Sequence, residues 1–202
     1  MNSLPRSLSL VMASLLLSAC SSLSWMWPGN WFGDSEPPPA ELVELKPEIG
    51  IRTLWTSSLG KGTAGQGVKL VPAIANGRIF VADRHGKIGA FDARNGTSLW
   101  KVEQNLAVSA GPGVGEGLVL LGTSDAEVVA LDQESGTLKW RSRVPSEVLS
   151  VPQAAEAVVV VQSIDGKVTG LDANTGQRLW LYERSAPPLT LRGTSTPSIS
   201  GS

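Results

Sequence analysis

Short apolar stretches that alternate with glycine-containing turns run through the chain from about residue 68 onward. In the first of these stretches, strand-forming residues occupy four short segments, and polar dipeptides that end in glycine separate them. The predicted strands are Lys69 to Ala73, Arg78 to Ala82, Lys87 to Asp92 and Ser98 to Val102, and the turns are Asn76-Gly77, His85-Gly86 and Asn95-Gly96. Asparagine and glycine tolerate the positive φ angles of tight hairpins, so the pattern predicts four consecutive antiparallel strands.

The same arrangement recurs at a fixed offset of 40 residues. Four residue types repeat at this offset, each three times. They are Pro72, Pro112 and Pro152; Asp92, Asp132 and Asp172; Gly96, Gly136 and Gly176; and Trp100, Trp140 and Trp180. A period near 40 with four short strands per unit is typical of a β-propeller blade. The sequence therefore predicts an all-β fold built from four-stranded blades.

Each repeated residue type has a physical reason to recur within a blade. An Asp that opens a hairpin can accept backbone N–H bonds across the turn, and the Gly four residues later supplies a positive φ. The Trp is expected to fill the wedge between neighbouring blades, and the Pro to begin each innermost strand. We interpret the repeated Asp, Gly and Trp residues as structural. A calcium array or an aromatic cofactor box is disfavoured, because each copy belongs to a separate blade.

Three whole units occupy residues 68 to 182, fewer than the four to eight blades of typical propellers. Before them, Arg52 to Leu59, which contains Trp55, is predicted to form an outermost strand. After them, Gly193 to Ser202, with Pro197, is predicted to begin a further unit. We therefore expect residues 51–202 to form a partial propeller, an open arc that is the N-terminal portion of a longer ring.

The first residues of the chain have the pattern of a secretory signal. Arg6 precedes an apolar run over residues 8 to 19. As a helix this run would span about 18 Å, too short for a membrane core of about 30 Å. It ends in Leu17-Ser18-Ala19-Cys20, which resembles the lipobox of bacterial lipoproteins. Residues 1–19 are thus a predicted lipoprotein signal peptide, and Cys20 is a predicted site of acylation.

Residues 20–50 are interpreted as a lipidated tether. The residue after the Cys is Ser21 and not Asp, which in lipoproteins implies the periplasmic face of the outer membrane. A Pro-rich, acidic stretch beginning at Glu36 favours an extended, solvated chain. Aromatic rings near the anchor are expected either at the bilayer surface or on one face of the folded domain, and the residues alone favour neither. These aromatic residues are Trp25, Trp27, Trp31 and Phe32.

Composition excludes several classes of function. With 17 Lys and Arg against 18 Asp and Glu, the net charge is −1, and the chain lacks the basic clusters that nucleic-acid binding needs. One His and one Cys are too few for a zinc finger, a disulfide or a Cys/His metal cluster. The lone His85 has Asp125 and Asp165 at its repeat positions, which indicates a polar residue in an exposed turn. We predict no metal, no cofactor, no nucleic-acid partner and no catalytic residues.

The unit Ala-Leu-Asp-x-x-x-Gly-x-x-x-Trp resembles the PQQ-like propeller repeat. Together with the lipobox, the Pro-rich tether and Ala82-Asp83-Arg84-x-Gly86, the order of parts is similar to the BamB family. These are propeller lipoproteins of the outer-membrane β-barrel assembly machinery. The resemblance implies an eight-bladed ring, about half of it present here, and a non-catalytic scaffold. The implied partners are a BamA-like insertion subunit, unfolded outer-membrane proteins and the membrane, through the lipid anchor.

One segment breaks the period of 40. Pro197 follows Pro152 by 45 residues, and the extra length contains Pro187-Pro188-Leu189-Thr190-Leu191-Arg192-Gly193. In BamB proteins a Leu-x-Leu-Arg-Gly loop binds the periplasmic POTRA domains of the insertion subunit. The resemblance therefore implies Leu189, Leu191 and Arg192 as partner contacts. The residues alone favour another interpretation, in which the leucines are buried beneath the next blade.

Two other functions are compatible with the same repeat. A PQQ-dependent quinoprotein dehydrogenase would need a quinone pocket at the ring axis, with Ca²⁺ held by carboxylate and amide oxygens. No such cluster is apparent in the three repeats. A ligand-binding propeller lipoprotein, with a sugar or peptidoglycan as ligand, is the other alternative to the scaffold.

Overall fold

The computed structural model describes residues 39–42, 49–183 and 195–200. The chain divides into two compact units, Met1–Gly50 and Ile51–Ser202. The described residues of the first unit contain neither strand nor helix, whereas those of the second contain thirteen strands. Within these ranges no helix has the length and hydrophobicity that crossing a membrane would require.

The thirteen strands form three sheets, in which every pairing is antiparallel except that of β1 with β6. The first sheet has the order β2-β3-β4-β5, the second β1-β6-β7-β8-β9 and the third β10-β11-β12-β13. The strands are β1 (Lys69–Leu70), β2 (Ala73–Ala75), β3 (Arg78–Ala82), β4 (Lys87–Asp92), β5 (Ser98–Glu103), β6 (Val108–Gly115), β7 (Leu118–Thr123), β8 (Glu127–Asp132), β9 (Leu138–Arg143), β10 (Gln153–Ala155), β11 (Val158–Gln162), β12 (Val168–Asp172) and β13 (Arg178–Tyr182). The predicted all-β fold of four-stranded repeats is confirmed.

Pro72 divides the first predicted strand, so the prediction of a single strand from Lys69 to Ala73 was wrong. On one side of the proline, β1 pairs in parallel with β6 of the second sheet. On the other side, β2 pairs with β3 of the first sheet. Proline has no N–H group to donate to a ladder, which explains why neither pairing continues through residue 72. The chain thus passes from one sheet to its neighbour at this point.

Pro112 departs from the prediction that each repeated proline begins an innermost strand. Pro72 and Pro152 immediately precede β2 and β10, but Pro112 lies inside β6. The pairing of β6 with β7 shifts register between Ala110 and Gly113, so the proline occupies an irregular part of the ladder. Such a position tolerates a residue without an N–H donor.

Two further segments that the sequence predicts as parts of blades are not strands. Residues 52–59, expected to form an outermost strand, have no strand structure, and neither do residues 195–200. A strand is defined by its backbone pairing, and neither segment has a pairing partner among the described residues. Trp55 nevertheless makes the contact that its place in the repeat implies, as described below.

The strands β6, β7 and β8 of the second sheet are largely buried on both faces, because the other two sheets cover them. All six residues of β7 are buried, which accounts for its nearly continuous apolar sequence. Burial alternates instead along β3 and β11, in the outer two sheets. Phe80 and Leu121 belong to the core between the first and second sheets, and Leu120 and Val159 to the core between the second and third.

The innermost strands approach one another closely at a glycine. A Cβ on Gly113 of β6 would overlap the backbone carbonyl of Pro152, which directly precedes β10. Gly115 meets the carbonyl of Ala154 in the same way. Because these neighbours are backbone atoms, they cannot rotate aside as a side chain would. The spacing of the second and third sheets near their inner edge therefore depends on the absence of side chains at these two positions.

We predict that Gly113→Ala destabilises the protein by about 2 kcal/mol, because an added methyl forces the inner strands apart. Gly67→Ala is the matched control, since a Cβ there meets no atom within 4 Å. The control should change the free energy of unfolding by no more than about 0.5 kcal/mol. Urea unfolding followed by circular dichroism measures both, and equal effects would contradict the close approach.

Candidate functional site

The repeated aspartates open the hairpins that join the third and fourth strands of each sheet. Oδ1 of Asp132 accepts hydrogen bonds from the backbone N–H groups of Glu134, at 3.1 Å, and Ser135, at 2.9 Å. Asp172 accepts from the corresponding N–H groups of Asn174 and Thr175, and Asp92 accepts from Arg94. Each carboxylate thereby satisfies donors that the tight turn leaves unpaired.

These donors make the aspartates stronger acids. The Ser135 hydroxyl and backbone N–H, with the Lys139 ammonium 3.2 Å away, lower the pKa of Asp132 to about 2. The backbone N–H of Thr175 lowers the pKa of Asp172, and that of Arg94 lowers the pKa of Asp92. The ionised form is therefore the one that holds the turn.

The repeated glycines and tryptophans meet across the boundary between sheets. Gly96, Gly136 and Gly176 have φ angles of 73°, 73° and 72°. In each sheet, the ladder between the two strands that the turn joins contains one register shift. The ring of Trp100, on β5, covers Gly136 of the next sheet, and its Nε1–H donates to the carbonyl of Gln133 at 3.1 Å. Trp140 covers Gly176 and donates to Ala173 at 2.8 Å. We call this contact the indole latch.

Trp55 and Trp180 occupy the two ends of the series of latches. Trp55 covers Gly96 and donates to the carbonyl of Ala93 at 3.1 Å, so the segment before the first sheet already supplies a latch. Trp180 is 43% exposed, against 7% for Trp140. No acceptor for its indole N–H lies in the described part of the chain. The third sheet therefore carries a tryptophan whose indole N–H has no carbonyl partner in the described part of the chain.

The opposite end of the sheets carries the other set of turns, and we call it the loop end. It comprises the turns β3–β4, β7–β8 and β11–β12 and the connections 104–107 and 144–152, as the antiparallel order requires. In the first of these turns, the buried Asp83 carboxylate accepts from the backbone N–H groups of Lys61, His85 and Lys87. Burial opposes its ionisation, yet the three donors outweigh burial and the pKa of Asp83 is lowered.

Arg84, next to Asp83, links the first two sheets at the loop end. Its guanidinium donates to Gln66 Oε1 at 2.9 Å, to the carbonyl of Val108 at 3.2 Å and to Ser124 Oγ at 3.1 Å. Ser124 occupies, in the next repeat, the position that Arg84 occupies in the first. From the sequence, Arg84 is notable only as part of the motif Ala82-Asp83-Arg84-x-Gly86. The available signal was its departure from the 40-residue pattern, which has Ser124 and Ile164 at this position.

The residues predicted for lipidation and for partner binding lie outside the described residues. These are Cys20, Leu189, Leu191 and Arg192. His85 is exposed in the β3–β4 turn, at the loop end. Among the described residues, no group of three or more His, Cys, Asp and Glu side chains is arranged to hold a metal ion.

Sheets of four strands, repeated every 40 residues and joined by indole latches, define a β-propeller of the PQQ-like type. The family model described as "Outer membrane protein assembly factor BamB" matches residues 40–102 and 84–202. The chain belongs to this family.

Curated relatives carry the same description. Over 106 residues the chain is 44% identical to the outer membrane protein assembly factor BamB of Alkalilimnicola ehrlichii. This match covers 52% of the present chain and 24% of that protein. Over 102 residues it is 42% identical to the BamB protein of Pseudomonas aeruginosa, which covers 50% of this chain and 24% of that protein. The matched part thus spans about a quarter of the length of these relatives.

Solved structures agree on the fold. The crystal structure of BamB from Moraxella catarrhalis matches with a TM-score of 0.59 at 22% identity, over 72% of this chain and 43% of that one. The quinohemoprotein alcohol dehydrogenase of Comamonas testosteroni matches with a TM-score of 0.50 at 22% identity, over 58% and 21%. At this identity both matches concern the propeller architecture alone.

We predict that Gly136→Ala weakens an indole latch. A Cβ there would lie 2.6 Å from Cε3 of Trp100, at a φ that side chains disfavour, so the change should cost about 3 kcal/mol. Gly117→Ala is the control: its φ of 71° is similar, but a Cβ meets nothing within 4 Å, and about 1 kcal/mol is expected. Urea unfolding measures the free energy of unfolding of both variants. Equal losses of stability would show that the indole latch does not contribute to stability.

We also predict that Asp132 contributes to the stability of the protein in a pH-dependent way. Its folded pKa of about 2 lies below the ordinary value of 3.8, so the unfolded chain binds more protons between these values. The contribution is complete above about pH 5 and is lost as the pH falls towards 2. The free energy of unfolding of Asp132→Asn should therefore vary less with pH than that of the wild type.

Asp125→Asn is the control for the change of net charge in this experiment. It removes an exposed carboxylate that forms no hydrogen bond within the described ranges. Urea titrations at a series of pH values from 2 to about 6 measure the three proteins. If the free energy of unfolding of both variants varies with pH as that of the wild type does, the Asp132 carboxylate is not linked to folding.

Proposed function

We propose that the protein is a non-catalytic, lipid-anchored scaffold that assists the assembly and insertion of β-barrel proteins into the outer membrane. The observation that carries this proposal is membership of the family described as outer membrane protein assembly factor BamB. The repeat itself does not distinguish a scaffold from a quinoprotein dehydrogenase, since a structure of each type matches the fold. The descriptions of the curated relatives favour the scaffold.

The proposed partner is a BamA-like insertion subunit, bound through its periplasmic POTRA domains. Leu189 and Leu191 would supply two apolar anchors, and Arg192 a guanidinium able to form forked hydrogen bonds with a carboxylate. Aliphatic anchors beside an Arg suit a small, well-packed contact of high energetic weight. Membership of the family supports the assignment of these residues, because they reproduce the Leu-x-Leu-Arg-Gly pattern.

The topology supports a position for this contact at the loop end. In chain order, the segment that contains Leu189 follows β13 just as residues 104–107 follow β5 and residues 144–152 follow β9. Both of those connections lie at the loop end, where Gln104 N–H donates to Gly86 and Val144 N–H donates to Ala126. A longer connection at the equivalent place would project from the same end without disturbing the sheets.

We further propose that acylated Cys20 holds the protein at the periplasmic face of the outer membrane. Several acyl chains on one residue give an effectively stable anchor, whereas a single chain binds only reversibly. Residues 20–50 would then act as the tether between the membrane and the propeller, residues 51–202. An anchor of this kind would keep the propeller close to the site at which barrels are inserted.

Unfolded outer-membrane proteins are proposed as transient partners. The outermost strands β5, β9 and β13 each pair on one side only within the described residues. An extended client segment could add to such an edge through main-chain hydrogen bonds. Main-chain pairing depends little on sequence, which suits a protein that handles many different clients.

The test is a binding measurement between the full-length protein and the purified POTRA domains. Leu191→Ala and Arg192→Ala should each weaken binding by about tenfold or more, as expected for central interface residues. Leu99→Ala and Arg94→Ala are matched controls, because both residues are exposed near the opposite end of the sheets. The controls should bind as the wild type does.

Two results would contradict the proposal. Unchanged binding by both Leu191→Ala and Arg192→Ala would remove the partner contact from this segment. Quinone-dependent oxidation of alcohols by the purified full-length protein would replace the scaffold with the enzyme.

A further inference from the structure

A polar cavity opens at the loop end, between the first two sheets. Its volume is about 360 Å³. Four parts of the chain line it: the segment before β1, the β3–β4 turn, the β7–β8 turn and the connection from β5 to β6. Its polar lining residues are Gln66, Arg84, His85, Asn105 and Asp125, and loop residues 106 and 107 complete the wall.

Arg84 contributes to this cavity a cation that forms no ion pair with a carboxylate of the described residues. All three of its hydrogen-bond partners, described above, are neutral oxygens. None of the ion pairs in the described part of the chain includes it. The guanidinium is half-buried, and a charge withdrawn from water favours a counter-charge. Three bonds to protein oxygens leave one N–H on each terminal nitrogen of the guanidinium, which matches the two oxygens of a carboxylate.

The repeat indicates that this cation is not needed to build the turn. Ser124 and Ile164 occupy the equivalent positions, and the second and third sheets form the same turn without a charge there. The next position also departs from the pattern, with His85 in place of Asp125 and Asp165. The first loop-end turn therefore carries Arg84 and His85 where the other two carry an uncharged residue followed by an aspartate.

The connection from β5 to β6 adds unused donors to the same cavity. Gln104 N–H donates to Gly86 and Val108 N–H donates to Arg84, at the two ends of the connection. The N–H groups of residues 105, 106 and 107, which lie between them, find no acceptor among the described residues. These three N–H groups belong to residues that line the same cavity as Arg84.

We propose that this cavity binds the side-chain carboxylate of an acidic peptide segment, with Arg84 as the charged contact. Asp125, which lines the same cavity, selects among anions. Its own charge opposes a multiply charged group such as phosphate, while its oxygens can accept a peptide N–H beside the bound carboxylate. The ligand class is therefore a singly charged carboxylate that is part of a polypeptide. None of the residues used belongs to the segment that contains Leu189, so this site stands or falls independently of the POTRA contact.

The test is an NMR titration of the ¹⁵N-labelled full chain with the acetylated, amidated peptide Gly-Glu-Gly. The Arg84 Nε–H signal and the backbone signals of residues 105 to 107 should shift and saturate together. The same peptide with Gln in place of Glu has equal size and no charge, and should produce little shift. The Nε–H signal of Arg94, whose side chain is 88% exposed at the other end of the sheets, reports unspecific attraction.

Variants extend the test to the assigned contact. Arg84→Gln should bind the glutamate peptide at least about tenfold more weakly, because it removes a charge-assisted pair of hydrogen bonds. Arg94→Gln should bind as the wild type does. If near-ultraviolet circular dichroism shows that Arg84→Gln is not folded, Arg84→Lys is used, which keeps the charge but not the fork, and weaker binding is again expected.

Three outcomes would overturn the proposal. The two peptides could shift the signals equally, Arg94 could respond as strongly as Arg84, or a folded Arg84 variant could keep wild-type affinity. Tighter binding of inorganic phosphate than of the glutamate peptide would also overturn it, because the ligand would then be a different anion.

Discussion

The structure depends on the contact between one sheet's tryptophan and the next sheet's Asp–Gly turn. A four-stranded sheet with two apolar faces cannot bury both by itself, so its stability depends on its neighbours. Apolar packing alone would let neighbouring sheets slide. The indole fixes their relative position, because its ring needs a bare glycine and its N–H needs a particular carbonyl. The aspartate completes the arrangement by holding the turn that presents both.

The 40-residue repeat distinguishes residues with a structural role, which recur in each sheet, from residues that are free to take a functional role. Positions that recur at 40 residues, such as Asp132 and Trp140, have the same contacts in successive sheets. A position that departs from the pattern is not required by the sheet itself. Arg84 and the insertion around Leu191 are two such departures from the period of 40. Arg84 lies in a turn between strands, so its departure leaves the ladders of the first sheet intact.

Much of the fold could be predicted from the sequence, because its determinants are local. The strands from β3 to β5 and the hairpin at Gly96 follow from alternation and from turn residues a few positions apart. The division at Pro72 was missed, since pairing of β1 with β6 depends on residues about 40 positions away. The outermost strand predicted around Trp55 was not found, although the indole of Trp55 contacts the first sheet as Trp100 contacts the second. The bonds of Arg84 to Val108 and Ser124 could not be read from the sequence, because only the packing of two sheets brings these groups together.

The latch also places a natural chromophore at each boundary between sheets. Of the seven tryptophans in the chain, Trp55, Trp100 and Trp140 have their rings against the backbone of the next repeat, whereas Trp180 is 43% exposed to water. Emission from a shielded indole lies at shorter wavelength than emission from a hydrated one. The intrinsic light emission of the protein therefore contains separate signals from closed boundaries and from an open face, and no dye need be attached to distinguish them.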